Sequence, residues 1–110
     1  MKIKIDQYVT NFNGDPIDLP DKGSLTFRTV IENALNAHDD KSVLTAEKKL
    51  AAFQIGVKLF SKKLAEYDLT IDQVSFLKER IGLFYGPVVY GRFLELIGDE
   101  VVKKKDNSND

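Results

Sequence analysis

Three threonines, Thr26, Thr45 and Thr70, each stand just before a run of apolar residues at helical spacing, and nothing else narrows the fold of these 110 residues as much. A threonine hydroxyl accepts from the free backbone N–H groups of a helix's first turn, so each marks a helix start. After Thr26, the residues Phe27, Val30, Ile31, Ala34 and Leu35 fall on one stripe, and Leu25 with Val30 suits a hydrophobic staple across the entry. After Thr45, a second helix is expected to run to about Tyr67. Leu50, Phe53, Val57, Phe60 and Leu64 recur there in alternating 3/4 spacing, with Ala52, Ile55 and Leu59 widening the stripe. Phe53 and Phe60 are its expected core anchors. Thr70 opens a third helix with a complete entry signature, Gln73 as capping-box partner and Leu69 stapled to Val74. This helix passes Leu77, Ile81 and Phe84 and breaks at Gly86-Pro87, because proline has no N–H to bond back yet suits a new first turn. Val89, Tyr90, Phe93, Leu94 and Ile97 continue the apolar face beyond the break, and Gly98 suits the closing position.

The first 19 residues carry strand periodicity instead. Ile3 and Ile5 alternate with polar residues, and Tyr8, Thr10 and Phe12 alternate in the opposite parity, which implies a bulge or break near Asp6-Gln7. Asn13-Gly14 is the strongest short hairpin signal, since both residues tolerate the positive φ of a type I′ turn. A two-residue turn there pairs Phe12 with Asp15, Thr10 with Ile17 and Tyr8 with Leu19, leaving Pro16 opposite Asn11 at a non-hydrogen-bonded pair. Two strands alone are marginal, so the helices must cover them.

Composition then excludes most chemistry. The chain is 43% hydrophobic and 30% charged, which suits a packed core. Its 16 Lys+Arg against 17 Asp+Glu leave no global field for nucleic acid or an anionic membrane. With no cysteine and one histidine, disulfides, thiolate nucleophiles and most metal and triad chemistry fall away. There is no phosphate loop, nucleophile elbow or HExxH pair, and Gly82-x-x-x-Gly86 lacks the following Lys-Ser/Thr. No enzyme activity, cofactor or metal is therefore expected. No secretory h-region follows Met1, and no apolar run approaches the roughly 18 residues of a membrane span, so a soluble, cytoplasmic protein is expected. Lys103 to Asp110 has nothing to bury and is expected to be a disordered tail behind a single domain of residues 1–102.

The segment from Leu69-Thr70 to Ile81-Gly82, followed by Tyr85-Gly86-Pro87-Val88-Val89 and Gly91, resembles small uncharacterised proteins of tailed bacteriophages and prophages. The likeness extends upstream through Leu25-Thr26, Asn33-Ala34-Leu35 and Glu47-Lys48 after a short β-type leader. These motifs are structural, so no catalytic residue carries over. The resemblance implies a bacterial cytoplasm and a small protein that acts by binding a host defence or replication protein, or a virion component.

Several clusters have residue types that could carry chemistry. His38 beside Asp39 and Asp40 suits an oriented base, part of a metal site, or a solvated imidazole at a helix C-terminus, where the partial negative charge favours it. Asp15, Asp18 and Asp21 match no calcium-loop spacing and suit local turn hydrogen bonds. Lys48, Lys49, Lys58, Lys62 and Lys63 against Glu47 and Glu66 give helix two a local excess of three positive charges. They could contact phosphates, although no aromatic or arginine cluster accompanies them to read bases. Gly82, Gly86 and Gly91 remove side chains around the break, where Tyr85, Tyr90 and Arg92 are the residue types that anchor interfaces. The expectation is an α+β domain, an N-terminal hairpin packed on three helices with the last broken at Gly86-Pro87. It would act non-enzymatically by binding a host or phage protein, with a tail assembly chaperone as the alternative and nucleic-acid binding third.

Overall fold

A computed structural model describes residues 1–20, 23–37 and 44–98. Asp21, His38, Asp39, Asp40 and the tail from 103 to 110 lie outside the described residues. The architecture is α+β, with short antiparallel strands at the N-terminal end and four helices. In chain order the elements are β1 (Lys2–Ile3), β2 (Asp18–Leu19), β3 (Gly23–Ser24), α1 (Phe27–Asn36), α2 (Ala46–Phe60), β4 (Tyr67–Asp68), α3 (Ile71–Phe84) and α4 (Pro87–Ile97). The break at Gly86-Pro87 is complete enough to make α3 and α4 separate helices.

All three threonine caps form. Thr26, Thr45 and Thr70 accept from the backbone N–H of Thr29, Lys48 and Gln73. At Thr70 the box is reciprocal, because Gln73 Oε1 takes the Thr70 N–H at 2.9 Å while Thr70 Oγ1 takes the Gln73 N–H at 3.1 Å. Pro87 opens α4 in its first turn, and Gly98 ends it in the left-handed region at φ 66°. The α1 stripe buries as spaced: Phe27, Val30, Ile31, Ala34 and Leu35 are all core residues. α1 packs on both α2 and α3, α3 carries α4, and β1 lies against α4.

The C-terminal end of α1 is closed from outside the helix. Arg80 of α3 is buried, donates to the carbonyls of Ala34 and Ala37, and stacks over the Phe84 ring at 4.7 Å. These are carbonyls that a helix end leaves without an internal partner. A buried cation held by backbone dipoles and an aromatic face thus fixes α1 against α3.

The N-terminal strands pair differently from the expected register. Thr10 faces Pro16, one residue from the anticipated pairing, flanked by Asn11 N–H to Asp15 O at 2.8 Å and Ile17 N–H to Val9 O at 3.1 Å. The loop therefore holds three residues, Phe12-Asn13-Gly14, with Gly14 at φ 92° and its N–H bonded to Asn11 O. A turn followed by a left-handed glycine is the usual three-residue hairpin, and a one-residue slip reverses which side chains face inward. Val9 is accordingly buried, whereas Tyr8 and Phe12 are exposed. The chain does turn at Ile5-Asp6 and bend at Gln7, where a break was expected, but Val9 keeps the parity of Ile3 and Ile5, so the break inverts no faces. Pro16 still sits at a non-hydrogen-bonded pair, where its missing N–H costs nothing.

Val9, Ile17 and Leu25 close a ring of three backbone hydrogen bonds. Val9 donates to Leu25 at 2.8 Å, Leu25 to Ile17 at 2.8 Å and Ile17 to Val9 at 3.1 Å. Three short segments thereby satisfy one another over the helical core. β1 pairs with β4 and not with the hairpin: Ile3 lies opposite Tyr67 and Lys2 opposite Asp68.

α2 departs most from expectation. It ends at Phe60, not near Tyr67, because the Tyr67 side chain is drawn into the core. Its hydroxyl accepts from Leu64 N–H at 3.0 Å and Arg28 at 3.2 Å and donates to Lys62 O at 2.9 Å. The Leu64 N–H first, then the Arg28 guanidinium, holds that hydroxyl below the usual phenol range. Arg28 also grips Asp6 through two hydrogen bonds of 2.7 and 3.1 Å, which holds the Asp6 carboxyl below its ordinary value. The face of α2 that enters the core is Ala52, Ile55 and Leu59. Phe53 is 67% exposed, so it is not a core anchor, and Phe60 packs only at the core's edge under Arg28 at 5.6 Å. At about 100° per residue the two apolar sets of α2 centre on nearly opposite sides of the helix, so Ala52, Ile55 and Leu59 cannot widen the other stripe. The smaller set faces inward, with Ala52, Ile55 and Leu59 all buried, while a Cβ at neighbouring Gly56 would only touch Leu35 Cδ1 at an ordinary 3.9 Å.

Candidate functional site: the outward face of α2

The second apolar set is left facing outward. Leu50, Phe53 and Val57 are all exposed along α2, and Leu64 is exposed just beyond it. Isolated apolar residues on a surface need no explanation, whereas a contiguous stripe does. Beside it, α1 and α2 diverge to leave an open groove of 710 Å³. Leu35, Ala52 and Gly56 form its floor, Phe53, Val57 and Phe60 its α2 wall, and Glu32 with Asn36 its α1 wall. Lys49 and Ser61 add polar groups on the α2 side. The Arg80 clamp at Ala34 and Ala37 holds the α1 end of the groove in place.

The lysines expected on this helix divide into two groups. Lys48 reaches Glu79 at 3.5 Å and Lys58 reaches Gln73 Oε1 at 3.4 Å, so both are directed across to α3. Lys49, Lys62 and Lys63 form no ion pair or side-chain hydrogen bond among the described residues. The five do not all face one way, and exposed Phe53 stands in the groove lining with Lys49.

The three residues expected to anchor a partner at the helix break each have an intramolecular task. Arg92 donates from Nε to Thr10 O at 3.1 Å, from Nη2 to Asn11 O at 2.7 Å and from Nη1 to Glu95 at 2.9 Å, fastening α4 to the hairpin. Tyr85 accepts from Asn33 Nδ2 at 3.2 Å, tying the break to α1. The Tyr90 ring packs on Gly82, where a Cβ would lie 3.2 Å from its Cε1. All three are half-buried, and Arg92 also lines a smaller cleft of 240 Å³ with Tyr8. Gly86 and Gly91 meet no such neighbour.

Asp15 and Asp18 are exposed; the Asp15 N–H bonds Asn11 and Asn13 side chains, and the Asp18 carboxylate accepts from Ser24. Among the described residues, no group of three or more His, Asp or Glu could hold a metal ion, and no helix is long and apolar enough to cross a membrane. Residue spacing contained the signal for the α2 face: a strict 3/4 alternation, typical of a helix seam, lay opposite a second apolar set. Compared with family models, curated proteins and solved structures, the chain matches none of them.

Proposed function

We propose that the chain is a non-enzymatic binding protein that engages a partner protein through the outward face of α2 and the adjoining groove. The observation that carries this reading is Phe53, a large aromatic residue 67% exposed in the middle of an apolar stripe, beside an apolar groove. A fold that buries its other helical stripes yet leaves this one in water retains it at a solubility cost, and such patches mark interaction sites. The resemblance to small phage and prophage proteins supports a phage setting. There the partner belongs to a host defence or nucleic-acid machine, and the chain acts in the bacterial cytoplasm as its inhibitor. A virion tail component, with the chain as assembly chaperone, is the alternative.

Affinity capture from infected host lysate tests the reading, using the wild-type chain beside Phe53→Asp and Arg92→Ala. The expected result is a protein recovered by the wild type and by Arg92→Ala but lost with Phe53→Asp. A host protein supports inhibition and a tail protein supports assembly. Capture that survives Phe53→Asp and is lost with a folded Arg92→Ala would move the site to the helix break.

A further inference from the structure

Resting on that reading, we infer that the occupant of the α2 groove is an amphipathic helix with an acidic flank, supplied by the partner protein. The geometry suits a helix: one wall is a helical face whose Leu50, Phe53 and Val57 repeat at i, i+3 and i+7, the pattern by which one helix packs its apolar side chains into another. Gly56, with no side chain, leaves a gap between Phe53 and Phe60 into which a large apolar side chain fits.

Charge decides which helix. Lys49 lines the groove and Lys62 follows the other end of α2, both without an ion pair among the described residues, whereas Lys63 beside it acts on the Asp6 carboxylate. A second copy of this chain laid along α2 would bring like charges together in either direction. Antiparallel, Lys49 of one copy meets Lys62 of the other; parallel, Lys49 meets Lys49. An acidic flank on the incoming helix instead pairs with both ends of the row. Among the described residues, Glu32 is the acidic one lining the groove, and it stands on the α1 wall. The bound helix therefore carries its acidic residues on the side facing α2 and neutral ones toward α1, which fixes its rotation.

The test uses two fluorescein-labelled helical peptides with the same apolar positions, one carrying Glu along one flank and its twin carrying Lys. Fluorescence anisotropy with the full chain is expected to show the Glu peptide binding, more weakly as salt rises, and the Lys twin at least about tenfold weaker. Lys49→Glu, an exposed change whose folding is checked by circular dichroism, is expected to weaken the Glu peptide by about tenfold and to favour the Lys twin. Equal binding of both peptides, or no effect of Lys49→Glu, would overturn the acidic assignment and leave the protein-binding reading intact. Failure of the Glu peptide to bind would overturn the inference, and the reading itself fails separately if lysate capture ignores Phe53→Asp. Sedimentation velocity showing a dimer that Phe53→Asp dissolves would assign the groove to a second copy and refute the inference.

Discussion

Replacing Phe53 and Leu59 by alanine, separately, sets the two faces of α2 against each other. Leu59 has no exposed surface, so its truncation removes a fully buried side chain and leaves a cavity, at a cost of about 2 to 5 kcal/mol. In a domain of this size that lowers the melting temperature by roughly 4 to 8 °C for each kcal/mol. Phe53 is 67% exposed, so about a third of its side chain is covered. A third of the roughly 1.5 to 3 kcal/mol gained on burying a phenylalanine is about 0.5 to 1 kcal/mol. Alanine returns about 0.5 kcal/mol through its better helix propensity, so the net change at Phe53 should lie within about 0.5 kcal/mol of zero. Urea denaturation followed by circular dichroism measures both, and equal slopes would show that the shifts in midpoint report stability. A loss above about 2 kcal/mol at Phe53 with less than about 1 kcal/mol at Leu59 would refute the assigned orientation of α2.

Arg92→Ala should cost about 1 to 3 kcal/mol in the same assay, because it strips donors from the half-buried carbonyls of Thr10 and Asn11. Arg92→Lys should recover little of this, since one ammonium cannot reproduce the guanidinium fork; full recovery would contradict the clamp. Arg28 holds the folded-state pKa of Asp6 below its ordinary value of 3.8, so the pair's stabilisation is present above that value and is lost as the pH falls through the lowered one. The pair is partly exposed and contributes at most about 1 kcal/mol. Asp6→Asn should therefore reduce stability at neutral pH and flatten the acid side of a melting-temperature profile, whereas a change confined to the alkaline side would exclude this origin.

Local chemistry was legible in the chain wherever a short motif carried the whole determinant. The Thr70–Gln73 box, the Thr26 cap with its stripe, Pro87 as helix start and Gly98 as helix end each depend on neighbours within a turn or two. Illegible features required distant partners. The end of α2 is set by Tyr67 reaching Arg28 and the edge of β1, and nothing near Tyr67 announces either. Hairpin register turned on whether Phe12 entered the loop, a choice settled by Val9 joining Leu25 and Ile17 in one ring of hydrogen bonds. For α2, periodicity identified two apolar sets but not the one that meets the core, because that depends on the side chains α1 presents from far along the chain. Tyr85, Tyr90 and Arg92 were singled out by residue type, and residue type cannot distinguish an exposed anchor from an internal clamp.

A docking surface on the outward face of α2 and its groove should respond first when a partner helix is added. Two-dimensional ¹H–¹⁵N correlation spectra of the labelled chain, titrated with the Glu-flanked peptide, test it most directly. Shifts are expected to concentrate at Leu50, Phe53, Gly56 and Val57 on α2 and at Leu35 and Asn36 on α1, with the hairpin and α4 unmoved. Shifts centred on Tyr85, Tyr90 and Arg92, or spread evenly over the lysines with α2's apolar positions unchanged, would contradict it.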